Sequence, residues 1–545
     1  MREPLFDKFN LPAKFQQYGP GQKDSIDGTF EAFQRRDIVL GEHPTGSGKT
    51  LIAVMLPHMM GRRMVYTCTT KSLQRQFMTD FPDAVLLLGR SNYPCGRFLS
   101  RFPYITANDC PPLILLPDKE RQNLNPAAAV DNLLYPRCVL DCPYMAAKTK
   151  ALAAQIAVLN IQYLLPEANY AGRFTDLEYL VLDEIDMLEN ALLSFVEINL
   201  STDMIAYLGL APPEHKTKFE SWQTWAVEAS QVVEDRIAQL HHDTGPGLTD
   251  ANLKNIRRLK TLEHLNGKLG YFLSHVNAYW IWENKQTREG EAWCFKPILV
   301  GPFGQQDVWR HASKVLGMSA TILGFEQIVK NIGIPREDWE GYASPSFFPL
   351  ENRRVMARPA LCLDLKHYKE NIVKLPGAID QILSEHPEEK GIIHTVSYQT
   401  ANYLQQHLGE LQPENRGRLL FHTPQNRLDI IKQFKESTEA RVLASPSIER
   451  GEDFPDDVCR FIVIAKLPHL YLGDPQVKRR LYGHRDGNAW YTQKTAAALV
   501  QMSGRGVRHT NDRCVTYVLD STFSAWYAKN RGILPKWWAD SLVWG

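Results

Sequence analysis

Three separated stretches of this chain carry side chains suited to phosphoryl chemistry. His43-Pro-Thr-Gly-Ser-Gly-Lys-Thr50 is a glycine-rich loop ending in Lys-Thr. In such a loop the backbone around Thr45, Gly46, Ser47 and Gly48 cradles the phosphates of ATP, Lys49 reaches the β and γ oxygens, and the Thr50 hydroxyl ligates Mg²⁺. The usual first glycine is missing, because position 43 is His and Gly41 lies two residues too early. Val181-Leu-Asp-Glu-Ile-Asp186 ends an apolar run in carboxylates. There Asp183 would hold Mg²⁺ directly or through water, and Glu184 would be the general base that orients the attacking water. Near the chain end, Gln501-Met-Ser-Gly-Arg-Gly-Val-Arg508 offers Gln501 with Arg505 and Arg508. These arginines would reach a γ-phosphate across a cleft as fingers, groups that contribute roughly 10³ to 10⁵ in turnover.

Each group needs a particular support. Ile38-Val-Leu40 precedes the first loop and Leu51-Ile-Ala-Val-Met-Leu56 follows it, so the loop sits on a strand-to-helix turn. The acidic pair closes an apolar strand, and the two arginines, three apart, share one face if their segment is helical. Singly, a glycine-rich turn, a solvated strand-end acid pair and a solvated helix face are all ordinary. Together they read as one ATPase site.

At this point the chain resembles the superfamily-two helicases, and within them the XPD/DinG-like iron–sulfur group. Tyr18-Gly-Pro-Gly-Gln22 is similar to the adenine-reading glutamine motif, which assigns Gln22 to the nucleotide. Tyr66-Thr-Cys-Thr-Thr-Lys-Ser-Leu-Gln-Arg-Gln76 resembles the first DNA-contacting motif, and Asn160-Ile-Gln-Tyr-Leu-Leu165 the asparagine segment before the acidic strand. Leu316-Gly-Met-Ser-Ala-Thr321 resembles the Ser-Ala-Thr motif that couples nucleotide state to DNA grip. Ile392-Ile-His-Thr-Val-Ser-Tyr398 is similar to the fourth motif and Ser445-Pro-Ser-Ile-Glu-Arg-Gly-Glu-Asp453 to the fifth, which brings Gly451 and Asp453 to the nucleotide side. The order of the blocks agrees throughout. One motif departs: relatives commonly read Asp-Glu-Ala-His where this chain has Asp183-Glu-Ile-Asp186, so an imidazole is replaced by a carboxylate.

Nine cysteines are too few and too dispersed for a disulfide scaffold. Cys68, Cys294, Cys362, Cys459 and Cys514 fall mostly in apolar runs and read as core. Cys95, Cys110, Cys138 and Cys142 lie in polar segments with 14, 27 and 3 residues between successive members. Spacing alone leaves zinc, an iron–sulfur cubane and free thiols open. The resemblance implies a 4Fe–4S cluster on these four, since the family carries its cluster domain at this place and Cys142-Pro-Tyr144 is similar to the motif at its last ligand.

Composition describes a large soluble enzyme, with 44% hydrophobic residues and a net charge of only +1 from 62 basic and 61 acidic groups. No global field advertises a nucleic-acid partner, but a motor that must release its track needs only local phosphate contacts. No apolar run reaches membrane length and the N-terminus lacks a signal core, so no membrane partner is expected and the cytoplasm, or the nucleoid in a bacterial host, is the expected compartment. The expected fold is α/β: two RecA-like parallel-sheet motor domains with an inserted iron–sulfur domain and a mainly helical arch. The expected division is 1–92, 143–188 and 309–350 for the first motor domain, 93–142 for the cluster insertion, 189–308 for the arch and 351–545 for the second motor domain. Phe219, Trp222, Trp225, Ala226, Ala229, Val233, Ile237 and Leu240 approximate a helical period in the arch, and the tryptophans of Tyr279-Trp-Ile-Trp282 and Ala292-Trp-Cys-Phe295 read as the core of a hairpin. The cluster Lys254, Arg257, Arg258 and Lys260 reads as a solvated face. The resulting expectation is an ATP-dependent DNA helicase or translocase, moving 5′→3′ on single-stranded DNA and opening forked DNA, that uses ATP, Mg²⁺ and the cluster. An RNA helicase and an ATP-gated nucleic-acid clamp or scaffold are the alternatives.

Overall fold

The structure, a computed structural model, describes residues 3–95, 104–109, 142–244, 249–277, 279–287, 290–446, 448, 452 and 454–545. Two seven-stranded parallel sheets organise it. The first is ordered β10-β1-β9-β5-β2-β4-β3, with β1 at Ile38–Glu42, β2 at Met64–Cys68, β3 at Val85–Leu86, β4 at Ile156–Asn160, β5 at Tyr179–Asp183, β9 at Val315–Ser319 and β10 at Trp339–Ala343. The second is ordered β13-β14-β12-β15-β16-β11-β17, with β11 at Val355–Leu361, β12 at Gly391–His394, β13 at Leu419–Phe421, β14 at Val442–Ser445, β15 at Phe461–Ile464, β16 at Val515–Asp520 and β17 at Leu542–Trp544. Strands such as Phe461-Ile-Val-Ile464 are buried along their whole length, because helices cover both faces of a parallel sheet. These are two RecA-like α/β domains.

The register decides where the chemistry lies. Glu42 of β1 pairs with Ser319 of β9, and Asp183 of β5 pairs with Met318, so the polar ends of β1, β5 and β9 share the carboxyl edge of the first sheet. Ligand sites of open α/β sheets form at that edge.

Between β5 and β9 the chain makes a separate body. The Leu188–Val196 helix follows the acidic strand, so the expected start of the arch at 189 falls inside a helix that still packs on the first sheet's elements. A three-stranded antiparallel sheet follows, β6-β8-β7, with β6 at Ile198–Ser201, β7 at Trp280–Thr287 and β8 at Gly290–Pro297. Two long helices, Phe219–Asp243 and Asp250–His275, pack together and onto this sheet. Trp222, Ala226, Ala229 and Val233 are buried, as are Leu262, Leu265, Leu269 and Phe272 opposite. Burial of each large side chain contributes about 1.5–3 kcal/mol. The hairpin tryptophans belong to the same core: Trp293 lies 5.0 Å from Trp222 ring to ring, and the indoles of Trp282 and Trp222 both donate to the Lys216 carbonyl. The basic cluster is a solvated face, with Lys254, Arg257 and Arg258 exposed, and two of its members also make bonds. Arg257 pairs with Asp109 at 2.8 Å and Lys260 donates to the Asn108 carbonyl, which fastens the 104–109 turn to the Asp250–His275 helix. Among the described residues no helix is long and apolar enough to cross a membrane.

Candidate active site

The glycine-rich loop leaves β1 and enters the Lys49–Met60 helix. Gly46 and Gly48 have φ of +81° and +75°, a conformation L side chains rarely adopt, which explains the glycines at these places. The position lacking a glycine holds a fully buried His43, whose Nδ1 meets the Ser344 hydroxyl at 2.7 Å. Burial, reinforced by the Lys49 charge, pushes this imidazole down to about 3, so it is a neutral structural group. Ser47 Oγ is buried without a hydrogen-bond partner, an orphaned group inside the phosphate cradle. Gln22 is turned onto the loop: its Oε1 accepts from Gly19 N–H and its Nε2 donates to the Gly48 carbonyl at 3.1 Å. It therefore braces the cradle with the atoms a nucleotide base would use.

Asp183 stands at the end of β5, where one oxygen accepts from Glu184 N–H at 3.0 Å and the other from the Tyr66 hydroxyl at 2.8 Å. Burial and the adjacent Glu184 push its carboxyl up to about 6 against the opposing pull of Lys49, a charge deficit that Mg²⁺ would correct. Glu184 has φ of +53°, a strained conformation for a residue with a β-carbon, of the kind concentrated at functional sites. Thr50, Lys49, Asp183 and Glu184 thus meet at one carboxyl edge, with donors and charge suited to Mg²⁺ and a triphosphate.

A directed hydrogen-bond chain connects this edge to the second sheet. Arg505 Nη2 donates to Gln501 Oε1 at 3.0 Å, Gln501 Nε2 to Thr321 Oγ1 at 2.8 Å, and Thr321 Oγ1 to Asp186 Oδ2 at 3.1 Å. From the other side Ser319 Oγ donates to Asp186 Oδ1 at 2.8 Å and lies 3.2 Å from Glu184 Oε2. Asp186 is the terminal acceptor on which the protons converge. A neutral imidazole has one acceptor nitrogen, whereas a carboxylate serves two donors at once. Beside it, Glu42 accepts from Leu323 N–H at 2.7 Å; burial pushes its carboxyl up to about 7, with the Asp186 charge adding to the shift.

The arginines are not on a helix. The Gly487–Ser503 helix ends at Gly504, and a side chain at position 506 would strike Cys514 Sγ and the Cys459 carbonyl, so the chain there lies tight against the second sheet as a loop. Arg505 is buried and committed to Gln501 and to the Glu452 carbonyl. Arg508 lies at the cradle, where its carbonyl would be 2.9 Å from a β-carbon on Gly46, and Gly504 approaches the Thr45 hydroxyl. Gly451 and Asp453 lie outside the described residues.

Of the four cysteines, Cys110 and Cys138 also lie outside the described residues. Cys95 and Cys142 are half-buried free thiols. Tyr93 and Tyr144, each two residues away from one of them, meet edge to face at 5.6 Å, which holds the two ends of the insertion together. Cys142 immediately precedes the Pro143–Ala153 helix, which has proline at its first position. Below it lies a buried network in which Tyr144 bonds Tyr163 and Glu167, and Lys148 pairs with Glu167 at 2.8 Å.

One cluster has no counterpart in the sequence reading. Glu189 accepts from Arg480 and from the Trp490 indole and pairs with Lys494 at 2.7 Å. Burial opposes its ionisation, but Lys494 and Arg480 outweigh that and hold the carboxyl below its usual range. Lys494 also donates to the Asp186 carbonyl, so the helix that leads to Gln501 is anchored on the first sheet's acidic turn.

Comparison with known proteins agrees with this architecture. The helicase C-terminal domain family matches residues 379–541. The ATP-dependent DNA helicase YoaA of Haemophilus influenzae is 20% identical over 90% of this chain and 89% of its own length. The ATP-dependent DNA helicase CHL1 of Saccharomyces cerevisiae is 26% identical over 24% of this chain, which spans only 17% of that relative. Among solved structures, an XPD helicase superposes with a TM-score of 0.60 at 14% identity, covering 97% of this chain and all of the other, and Xpd4 of S. tokodaii with 0.58 at 12% identity over the same shares.

Proposed function

We propose that this chain, a superfamily-two helicase of the XPD/DinG-like group, couples ATP hydrolysis to 5′→3′ movement along single-stranded DNA and to the opening of forked DNA. The observation that carries the coupling is the hydrogen-bond chain from Arg505 through Gln501 and Thr321 to Asp186, with Ser319 returning to Glu184. It spans both sheets, so a change at the γ-phosphate side and a change in the gap between the domains are mechanically one event. YoaA and CHL1 are DNA helicases by name, which supports DNA as the track.

The residues divide the work. Lys49 and the loop N–H groups bind the β and γ phosphates, Glu184 orients and deprotonates the attacking water, and Arg508 and Arg505 oppose the charge that develops on the transferred group. Thr50 and Asp183 would hold Mg²⁺, which would supply charge neutralisation to the phosphates. Closure of the sheets on ATP and reopening after hydrolysis, with unequal grip on the strand, would produce steps. Cys95, Cys110, Cys138 and Cys142 would hold a 4Fe–4S cluster that braces the insertion; the two described thiols are unpaired, and the ring contact beside them supports a shared site. The cavity of about 750 Å³ between Tyr170, Phe195 and the Asp250–His275 helix offers room for a strand between motor and arch.

The test is ATP hydrolysis by purified protein with single-stranded DNA or RNA of matched length, followed by strand displacement on duplexes bearing a 5′ or a 3′ tail. Stimulation by DNA and displacement from the 5′ tail are expected. Greater stimulation by RNA would favour the RNA-helicase reading, and stimulation without displacement the clamp.

A further inference from the structure

We propose that Tyr66 is a positioning residue of the magnesium site, its phenol hydroxyl donating to Asp183 so that this metal-binding carboxylate is oriented before the cation binds. Tyr66 lies on β2 next to β5, register-paired with Val181, two residues before Asp183. Its side chain is 2% exposed and its hydroxyl donates to Asp183 Oδ2 at 2.8 Å. The ring is fixed from behind by Phe77 at 4.4 Å centroid to centroid, so the hydroxyl has little freedom to point elsewhere.

The chemistry follows from valence. A carboxylate that ligates a cation does so through an oxygen lone pair, so the donors that occupy its other lone pairs set where the ligating pair points. With Oδ1 engaged by Glu184 N–H and Oδ2 by the phenol, the carboxylate plane is fixed by two donors and its remaining lone pairs are aimed. The ligand on β5 is thereby set in place before any metal arrives. The same phenol couples the site to the neighbouring Lys71–Asp80 helix, which carries Phe77.

This inference rests on the reading of Thr50 and Asp183 as the magnesium pair, and the experiment separates the two. Binding of a fluorescent non-hydrolysable ATP analogue is titrated against Mg²⁺ for the full-length protein, Tyr66→Phe and Asp183→Asn, alongside ATPase activity as a function of Mg²⁺. Tyr66→Phe keeps the ring on Phe77 and removes only the hydroxyl. It is expected to raise the Mg²⁺ half-saturation about tenfold, the factor that one charged hydrogen bond near 1.4 kcal/mol represents. Its metal-free nucleotide affinity is expected to stay at the wild-type value and its turnover to recover at high Mg²⁺. A packing role alone would lower the melting temperature without moving the half-saturation. If Asp183→Asn shifts the Mg²⁺ dependence and Tyr66→Phe does not, the proposal is overturned and the magnesium pair stands. If neither shifts it, the magnesium pair itself is wrong. Should Tyr66→Phe fail to fold, Tyr66→Met deletes the same hydroxyl with an adaptable side chain and is read by the same criteria.

Discussion

Replacing Asp186 by alanine tests whether the two sheets communicate through hydrogen bonds or only through shape. The carboxylate accepts from Ser319 at 2.8 Å and Thr321 at 3.1 Å, and both hydroxyl residues are at most 1% exposed. Hydrogen bonds to a charged group contribute about 1.5–3 kcal/mol each. Asp186→Ala deletes both, but the 3.2 Å contact between Ser319 and Thr321 and the bond from Gln501 to Thr321 survive. The link is therefore weakened and not cut. A loss of about 2 kcal/mol is expected, inside the usual range of coupling energies and equal to roughly a thirty-fold drop in duplex opened per ATP consumed. DNA-independent hydrolysis should fall by less than about threefold, because Glu184, Lys49 and Asp183 are untouched. Asp186→Asn keeps one acceptor oxygen and should fall between the two. The assay is strand displacement and phosphate release measured together on one forked substrate. If Asp186→Ala opens as much duplex per ATP as the wild type, Asp186 is a passive buried acid and the relay argument fails.

Arg505→Ala should lower turnover more than nucleotide affinity, and should also weaken coupling because Arg505 bonds Gln501; stopped-flow nucleotide binding beside steady-state hydrolysis separates these effects. Glu42 is held at about 7 when folded against an ordinary 4.5, so the folded state keeps a proton that the unfolded chain has lost. Its contribution to stability is full below about pH 4.5 and is lost as pH rises through 7; Glu42→Gln should therefore melt higher than the wild type at pH 8, with the gap narrowing toward pH 5, and an equal gap at both pH values would contradict the shift. Anaerobically purified protein should be brown with about four iron and four sulfide per chain, and Cys142→Ser should bleach it while sparing ATP hydrolysis more than unwinding; stoichiometric zinc without sulfide would overturn the cluster.

The motor was legible because its chemistry is local. A glycine-rich turn and a strand-end acid are set by a few consecutive residues, so His43 to Thr50 and Val181 to Asp186 announced the strands and the helix that carry them. The relay was half legible: the carboxylate at Asp186 in place of a histidine was visible in the motif, but that Ser319 and Thr321 are the hydroxyls that reach it depends on the β5–β9 register. The helical placement of Arg505 and Arg508 failed for a tertiary reason, since contacts of Gly506 with Cys514 and Cys459 hold that segment as a loop. The Glu189 cluster left no sequence signal, and Tyr66 was read only as the start of a segment that resembles a DNA-contacting motif. Glu189 and Arg480 are 291 residues apart, and a buried tyrosine on a strand looks like any other core residue until its hydroxyl is seen against Asp183.

The central claim is that ATP hydrolysis at the Lys49 site drives strand separation, and strand displacement from a 5′-tailed fork by wild type, Lys49→Ala and Glu184→Gln addresses it most directly. The wild type should release the labelled strand only with ATP and Mg²⁺, while both variants stay folded and inactive, Glu184→Gln binding nucleotide without hydrolysing it. Displacement by folded Lys49→Ala at the wild-type rate, or release by the wild type without ATP, would contradict the account.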